Sequence, residues 1–134
     1  TSRGLGDVYK RQDTNTQPQE FDAICTGDLG HVGSQLFREL LAAEGIPVRV
    51  VNVPSEGLFR DQPRSYQESV LPAGVARYGM TSGLPVNLRG LVGENGVIHG
   101  LDHFGWSAPY KVLDEKFGYN GATVAAEVKK MLGK

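Results

Sequence analysis

Two apolar rhythms alternate along this chain, continuous short runs that suit buried strands and runs at helical spacing that suit one-sided helices. Phe21 to Cys25 is a run of the first kind. Behind it Leu36, Phe37, Leu40 and Leu41 recur at helical spacing, with Arg38, Glu39 and Glu44 on the far side. Gly45 is placed to cap that helix, Ile46 to fold back on its last turn, and Pro47 to stop it. Val48, Val50, Val51 and Val53 then predict a strand that is apolar nearly throughout, as in a parallel sheet covered on both faces, and Pro54 ends it.

The middle of the chain is more broken. Leu58 and Phe59 anchor one helical turn and Tyr66 to Leu71 another, because Pro63 and Pro72 forbid a single long helix. Val75 to Tyr78 reads as a weak strand. Leu84 to Val92 fits either a helical turn or an edge strand. The turn signal Gly93-Glu94-Asn95-Gly96 could fold Leu88 to Val92 back antiparallel to Val97 to Leu101, so a mixed sheet is expected.

The stretch from Val97 to Gly118 is the most informative. Val97, Ile98 and Leu101 predict a buried strand, Gly100 and Gly105 bracket a loop, and Ser107 is placed as N-cap with Pro109 inside the first turn. Pro109, Val112, Leu113 and Phe117 share one side of the following helix, Lys111, Asp114 and Glu115 the other, and Gly118 ends it. Asn120 caps a closing helix whose stripe is Val124, Val128, Met131 and Leu132, with Lys129 and Lys130 at the negative end of the dipole. Strand and helix alternate, and the expected fold class is α/β. Its architecture is a three-layer sandwich, a mostly parallel (mixed) sheet of about five strands with helices on both faces.

At 134 residues the chain is long enough for one domain that buries about two thirds of its unfolded surface. Fourteen basic residues against fifteen acidic ones leave a net charge of −1, which gives no electrostatic footprint for nucleic acid or an anionic membrane. No apolar run is long enough to span a bilayer, and no signal peptide precedes the fold, so a cytoplasmic location is expected. Cys25 is alone and can form no intrachain disulfide. There is no initiator Met, and residues 1–12 (TSRGLGDVYKRQ) resemble the translated adapter sequence found at the ends of environmental sequencing fragments. With the polar run 13–19 they are expected to form a disordered or artefactual tail, leaving 20–134 as the domain of a protein that continues upstream.

The order RVVNVPSEGLF, SYQESVLP, then GLDHFGWSAPYKVLDEKFG resembles the C-terminal domain of transketolase, from about Phe21 to Lys134. The resemblance implies the tailpiece of a thiamine diphosphate enzyme that moves two-carbon ketol units between sugar phosphates. It also implies that the cofactor, a divalent metal such as Mg and the substrate are held by preceding domains, which are this domain's partners, and that the parent is a homodimer. None of the family's catalytic motifs is matched, so no catalytic, cofactor-binding or metal residue is carried over, and the chain alone is expected to be inert.

A second reading rests on Thr26 to Gly33. Gly27, Gly30 and Gly33 have the spacing of a dinucleotide-binding turn between strand and helix, where small residues let a pyrophosphate approach backbone amides, as in an NAD(P)-binding Rossmann-like module. GHVGSQLFRELLAAEGIPVRVV also resembles the first unit of an extended short-chain dehydrogenase. Against it, the next strand ends Val51-Asn52-Val53-Pro54 without an acidic ribose ligand, and Tyr66 and Tyr110 are followed four residues later by Val70 and Asp114, not Lys. A regulatory small-molecule site at the carboxyl ends of the strands is also permitted.

Isolated reactive residues point to plainer roles. His99 and His103 have the ligand spacing of a helix but lie across a strand-to-loop junction, with no Cys or third His nearby. His31 reads as a solvated loop residue, Asp102 beside His103 as a local turn contact, Cys25 as small core filler and Ser107 as a cap. Phe104 and Trp106 join no helix stripe; they either pack under their loop or face a partner domain.

Overall fold

A computed structural model describes residues 23–27 and 38–134. The first strand, β1 (Ala23–Gly27), runs parallel to β2 (Val48–Asn52) on one side and to β3 (Ala76–Met80) on the other. A short fourth strand, β4 (Val97–His99), pairs parallel with β3, so the order is β2-β1-β3-β4. Parallel neighbours require crossovers, and the helices supply them. The described part of α1 covers 38–43. Next come α2 (Glu56–Arg60) and α3 (Arg64–Val70), and a 3-10 turn (Pro85–Leu88) runs into α4 (Arg89–Val92). The chain ends with α5 (Tyr110–Phe117) and α6 (Gly121–Leu132).

Successive strand residues point to opposite faces, and two cores form as a result. On one face Ile24, Val51 and Val53 meet Phe59, Val70, Leu88, Leu91 and Val92 from α2, α3 and the 85–92 crossover. On the other, Ala23, Val50 and Tyr78 meet Leu41, Val124 and Val128 from α1 and α6. The expected α/β sandwich with helices on both faces is therefore what forms. Each fully buried aliphatic side chain in it contributes on the order of 2 kcal/mol.

The sheet is not mixed among the described residues. Its four described strands are all parallel, and Leu88 to Val92 does not fold back on Val97 to Leu101. Leu88, Leu91 and Val92 are buried at helical spacing, so the ambiguous segment is the crossover that parallel β3 and β4 need.

The predicted ends of α1 and α6 hold. Ile46 donates to the Leu41 carbonyl (2.9 Å) and Gly45 to that of Ala42 (3.0 Å), the paired bonds of a helix stop, and Ile46 is buried. The Asn120 side chain accepts from the Thr123 amide at 2.9 Å. The start of α5 differs from expectation: Pro109 is the N-cap, the helix begins at Tyr110, and Ser107 makes no cap. A residue before proline is pushed out of the helical region, so Ala108 cannot be the first turn and the helix starts later.

Two arginines occupy the α3 face of the sheet. Arg49, buried in β2, donates to the carbonyls of Ser69 (3.1 Å) and Val70 (3.2 Å). Arg77 of β3 donates to Leu71, Pro72 and Leu91 carbonyls at 2.9, 3.2 and 2.8 Å. Both satisfy helix ends that lack partners of their own and place positive charge at the negative end of α3. Burial pushes the Arg77 guanidinium below its ordinary pKa.

Candidate functional site

The densest polar cluster lies where β3 and β4 meet the last two helices. Tyr78 from β3 and His99 from β4 both point to the α1/α6 side of the sheet, and Glu127 from α6 comes down between them. The Tyr78 hydroxyl donates to Glu127 Oε2 at 2.5 Å, and His99 Nδ1 lies 3.1 Å from the same oxygen. His99 Nε2 lies 2.8 Å from the Phe117 carbonyl at the end of α5. A carbonyl only accepts, so Nε2 carries the hydrogen of that bond. Tyr119 meets the His99 ring edge to face at 4.7 Å between centroids, and its hydroxyl donates to the Thr81 carbonyl at 2.6 Å. Burial pushes the Tyr119 phenol above its ordinary pKa.

This arrangement resembles an acid/base constellation only in its residue types. A histidine working as a base needs one ring nitrogen facing a substrate proton, and here both face protein groups. The His99 side chain is 12% exposed, which leaves little room for a reactant. The cluster is a clasp that ties the sheet to the end of α5 and the middle of α6. Neither Tyr78 nor Glu127 stands out in the sequence as a polar site. The available signal was position: Glu127 lies three residues after Val124 and four before Met131, on the flank of the apolar stripe.

The other singled-out residues scatter. His103 is exposed, its Nδ1 2.9 Å from the Phe104 carbonyl, while His99 is committed to the clasp, so the two do not converge. Asp102 and Ser107 are exposed. Gly27 ends β1 beside Met80, and a Cβ there would stand 2.1 Å from the Met80 carbonyl oxygen, so close strand pairing by itself requires a glycine. Gly30, Gly33 and His31 lie outside the described residues, as does most of the Thr26 to Gly33 turn.

A groove of about 380 Å³ opens between α2, α3 and α4, with Arg60, Arg64 and Arg77 in its lining. Arg60 pairs with Glu56, Arg64 with Glu68 at 2.7 Å, and Arg77 is taken up by three carbonyls. Among the described residues no three His, Cys, Asp or Glu side chains are grouped to share a metal ion.

Among the described residues the loop after β4 and the helix it leads into carry the most exposed aromatic side chains. Phe104 is 96% exposed, Trp106 59%, Tyr110 69% and Val112 52%. Its inner side is ordered all the same: the His103 and Trp106 rings meet Phe117 at 5.1 and 6.3 Å, and Lys116 Nζ lies 3.4 Å from the Trp106 ring centre. Of the two roles open to Phe104 and Trp106, packing under the loop is made in part by Trp106 against Phe117, and by Phe104 not at all among the described residues.

A parallel sheet between two helical layers, closed by a polar clasp and fronted by an aromatic loop, defines a small α/β domain. The family model for the Transketolase-like TK C-terminal domain matches residues 9–120. The chain is 44% identical over 109 residues to the plasmid-encoded transketolase of Cupriavidus necator, covering 81% of this chain and 16% of that protein. It is 39% identical over 125 residues to Transketolase 1 of Escherichia coli K12, covering 92% and 19%. A crystal structure of Pichia stipitis transketolase in complex with sedoheptulose 7-phosphate superposes with a TM-score of 0.75 at 23% identity, over 87% of this chain and 17% of that one. The chain belongs to the transketolase family, as its C-terminal domain, and spans less than a fifth of the length of those relatives.

Proposed function

We propose that this chain is the terminal structural and interface domain of a transketolase that transfers a two-carbon ketol unit between sugar phosphates. The supporting observation is the family match across 9–120 to relatives of which the chain makes up 16 and 19%. Thiamine diphosphate and its divalent metal ion, such as Mg, supply the ketol-transfer chemistry from other domains of the parent. The engaged guanidiniums of the groove and the doubly bonded His99 fit that division of labour. The parent works as a cytoplasmic homodimer in the pentose phosphate pathway, and the domain's immediate partners are the preceding domains of the same polypeptide.

The test is a chimera in which residues 20–134 replace the corresponding terminal segment of Escherichia coli Transketolase 1. Ketol transfer by the chimera, with none from the 134-residue chain given thiamine diphosphate and Mg²⁺, is the expected result. Transfer by the isolated chain, or a rise in its melting temperature with the cofactor, would overturn the proposal.

A further inference from the structure

The run from Phe104 to Val112 presents an aromatic surface that no other described residue covers. At 150–250 Å² per aromatic side chain, the exposed fractions of Phe104, Trp106, Tyr110 and Val112 amount to roughly 500–600 Å². That is at the upper end of the about 300–600 Å² that the largest apolar patch of a monomer spans, and such patches often mark a docking site. The segment is also preorganised, since Trp106 and His103 lie on Phe117, and Phe117 is held through its carbonyl by His99. Docking therefore costs little ordering of the loop.

Resting on the reading above, we infer that this surface is where the domain docks onto the preceding domains of its own polypeptide. The occupant is an apolar recess that receives Phe104 and Trp106, with an acceptor for the Tyr110 hydroxyl. Contacts between domains of one chain run to about 600–1,500 Å², a size to which such a segment can contribute a large share. Tethering favours this occupant over a second copy of the chain, because a linked partner is present at an effective concentration in the millimolar range. The relatives carry more than four fifths of their length outside the matched segment, ample chain to provide the recess.

Hydroxyl-radical footprinting read by mass spectrometry tests the assignment on the 134-residue chain and on the chimera. Oxidation of Phe104, Trp106 and Tyr110 should fall by about fivefold or more in the chimera, as burial in an interface core requires. Substituting Phe104→Ser, Trp106→Ser and Tyr110→Ser together should split the chimera's single melting transition in two and leave the isolated chain's transition in place. A chimera that transfers ketol while the segment stays fully labelled would overturn the docking assignment and leave the family role standing. Labelling that falls as the isolated chain is concentrated would give the surface to a second copy and overturn it as well. A chimera that neither assembles nor transfers ketol would overturn the parent reading, and the docking assignment with it.

Discussion

Helices α5 and α6 follow one another across a single turn, and both carry an apolar stripe on an otherwise charged surface. Their fates differ. Val124, Ala125 and Val128 of α6 are buried against the sheet, while α5 has no buried residue and its Val112 is 52% exposed. Both helices end on glycines in the left-handed conformation, Gly118 and Gly133, so the contrast does not lie in their C-terminal stops. It lies in what each stripe meets: α6 lies across the sheet face, whereas α5 has Leu113 and Phe117 only half-buried and its last carbonyl bonded to His99. A stripe states that a face wants cover without stating what covers it.

The sharpest way to break this contrast is to place a carboxylate on each stripe. Val128→Asp puts an unpaired charge in the core with Leu41, Val50 and Tyr78 and should cost more than ~4 kcal/mol, or prevent folding outright. Val112→Asp in the isolated chain should stay within about 0.5 kcal/mol. Urea midpoints at constant slope measure both, and comparable losses would mean that α5 is buried after all.

The clasp joins the two regions, so His99→Ala should loosen one more than the other. Removing the ring leaves the Phe117 carbonyl and Glu127 without that partner and should cost about 2 kcal/mol. Amide exchange should quicken through α5 before α6, because Tyr78 still holds Glu127 and the stripe of α6 still packs. Equal acceleration in both helices would show that His99 braces the whole end of the domain.

At the joint, Gly118 has φ +74°, and an added Cβ would approach Thr123 Cγ2 at 3.0 Å and His99 Cε1 at 3.2 Å. Gly118→Ala should therefore cost about 1–2 kcal/mol, read as a lower melting temperature. Asn120→Ala removes the first-turn cap of α6 and should cost about 1 kcal/mol, the smallest of the losses expected at this joint. A null result there would mean that packing of Val124 alone sets where α6 begins.

Much of the fold was legible in the chain. The Gly45-Ile46-Pro47 stop, the valine strand, the Asn120 cap and the α6 stripe are local signals, and each formed as expected. Leu84 to Val92 was not decidable, because short apolar runs fit either period, and the choice came from β3 and β4 pairing in parallel. Ser107 misled because a good capping residue two places before a proline is overruled by the proline. The clasp was invisible for another reason. Its members come from residues 78, 99, 117 and 127, each unremarkable in its own neighbourhood.

Sequence alone determined the alternation of strand and helix, the helix stops and the family, because propensity, capping and motif order reside in neighbouring residues. Only the tertiary structure decided that the described strands run parallel and that His99 closes on Glu127 instead of His103. It alone separated the buried stripe of α6 from the half-exposed one of α5. Those outcomes depend on which distant segments share a face, and burial is a property of that arrangement, not of any residue's own neighbours along the chain.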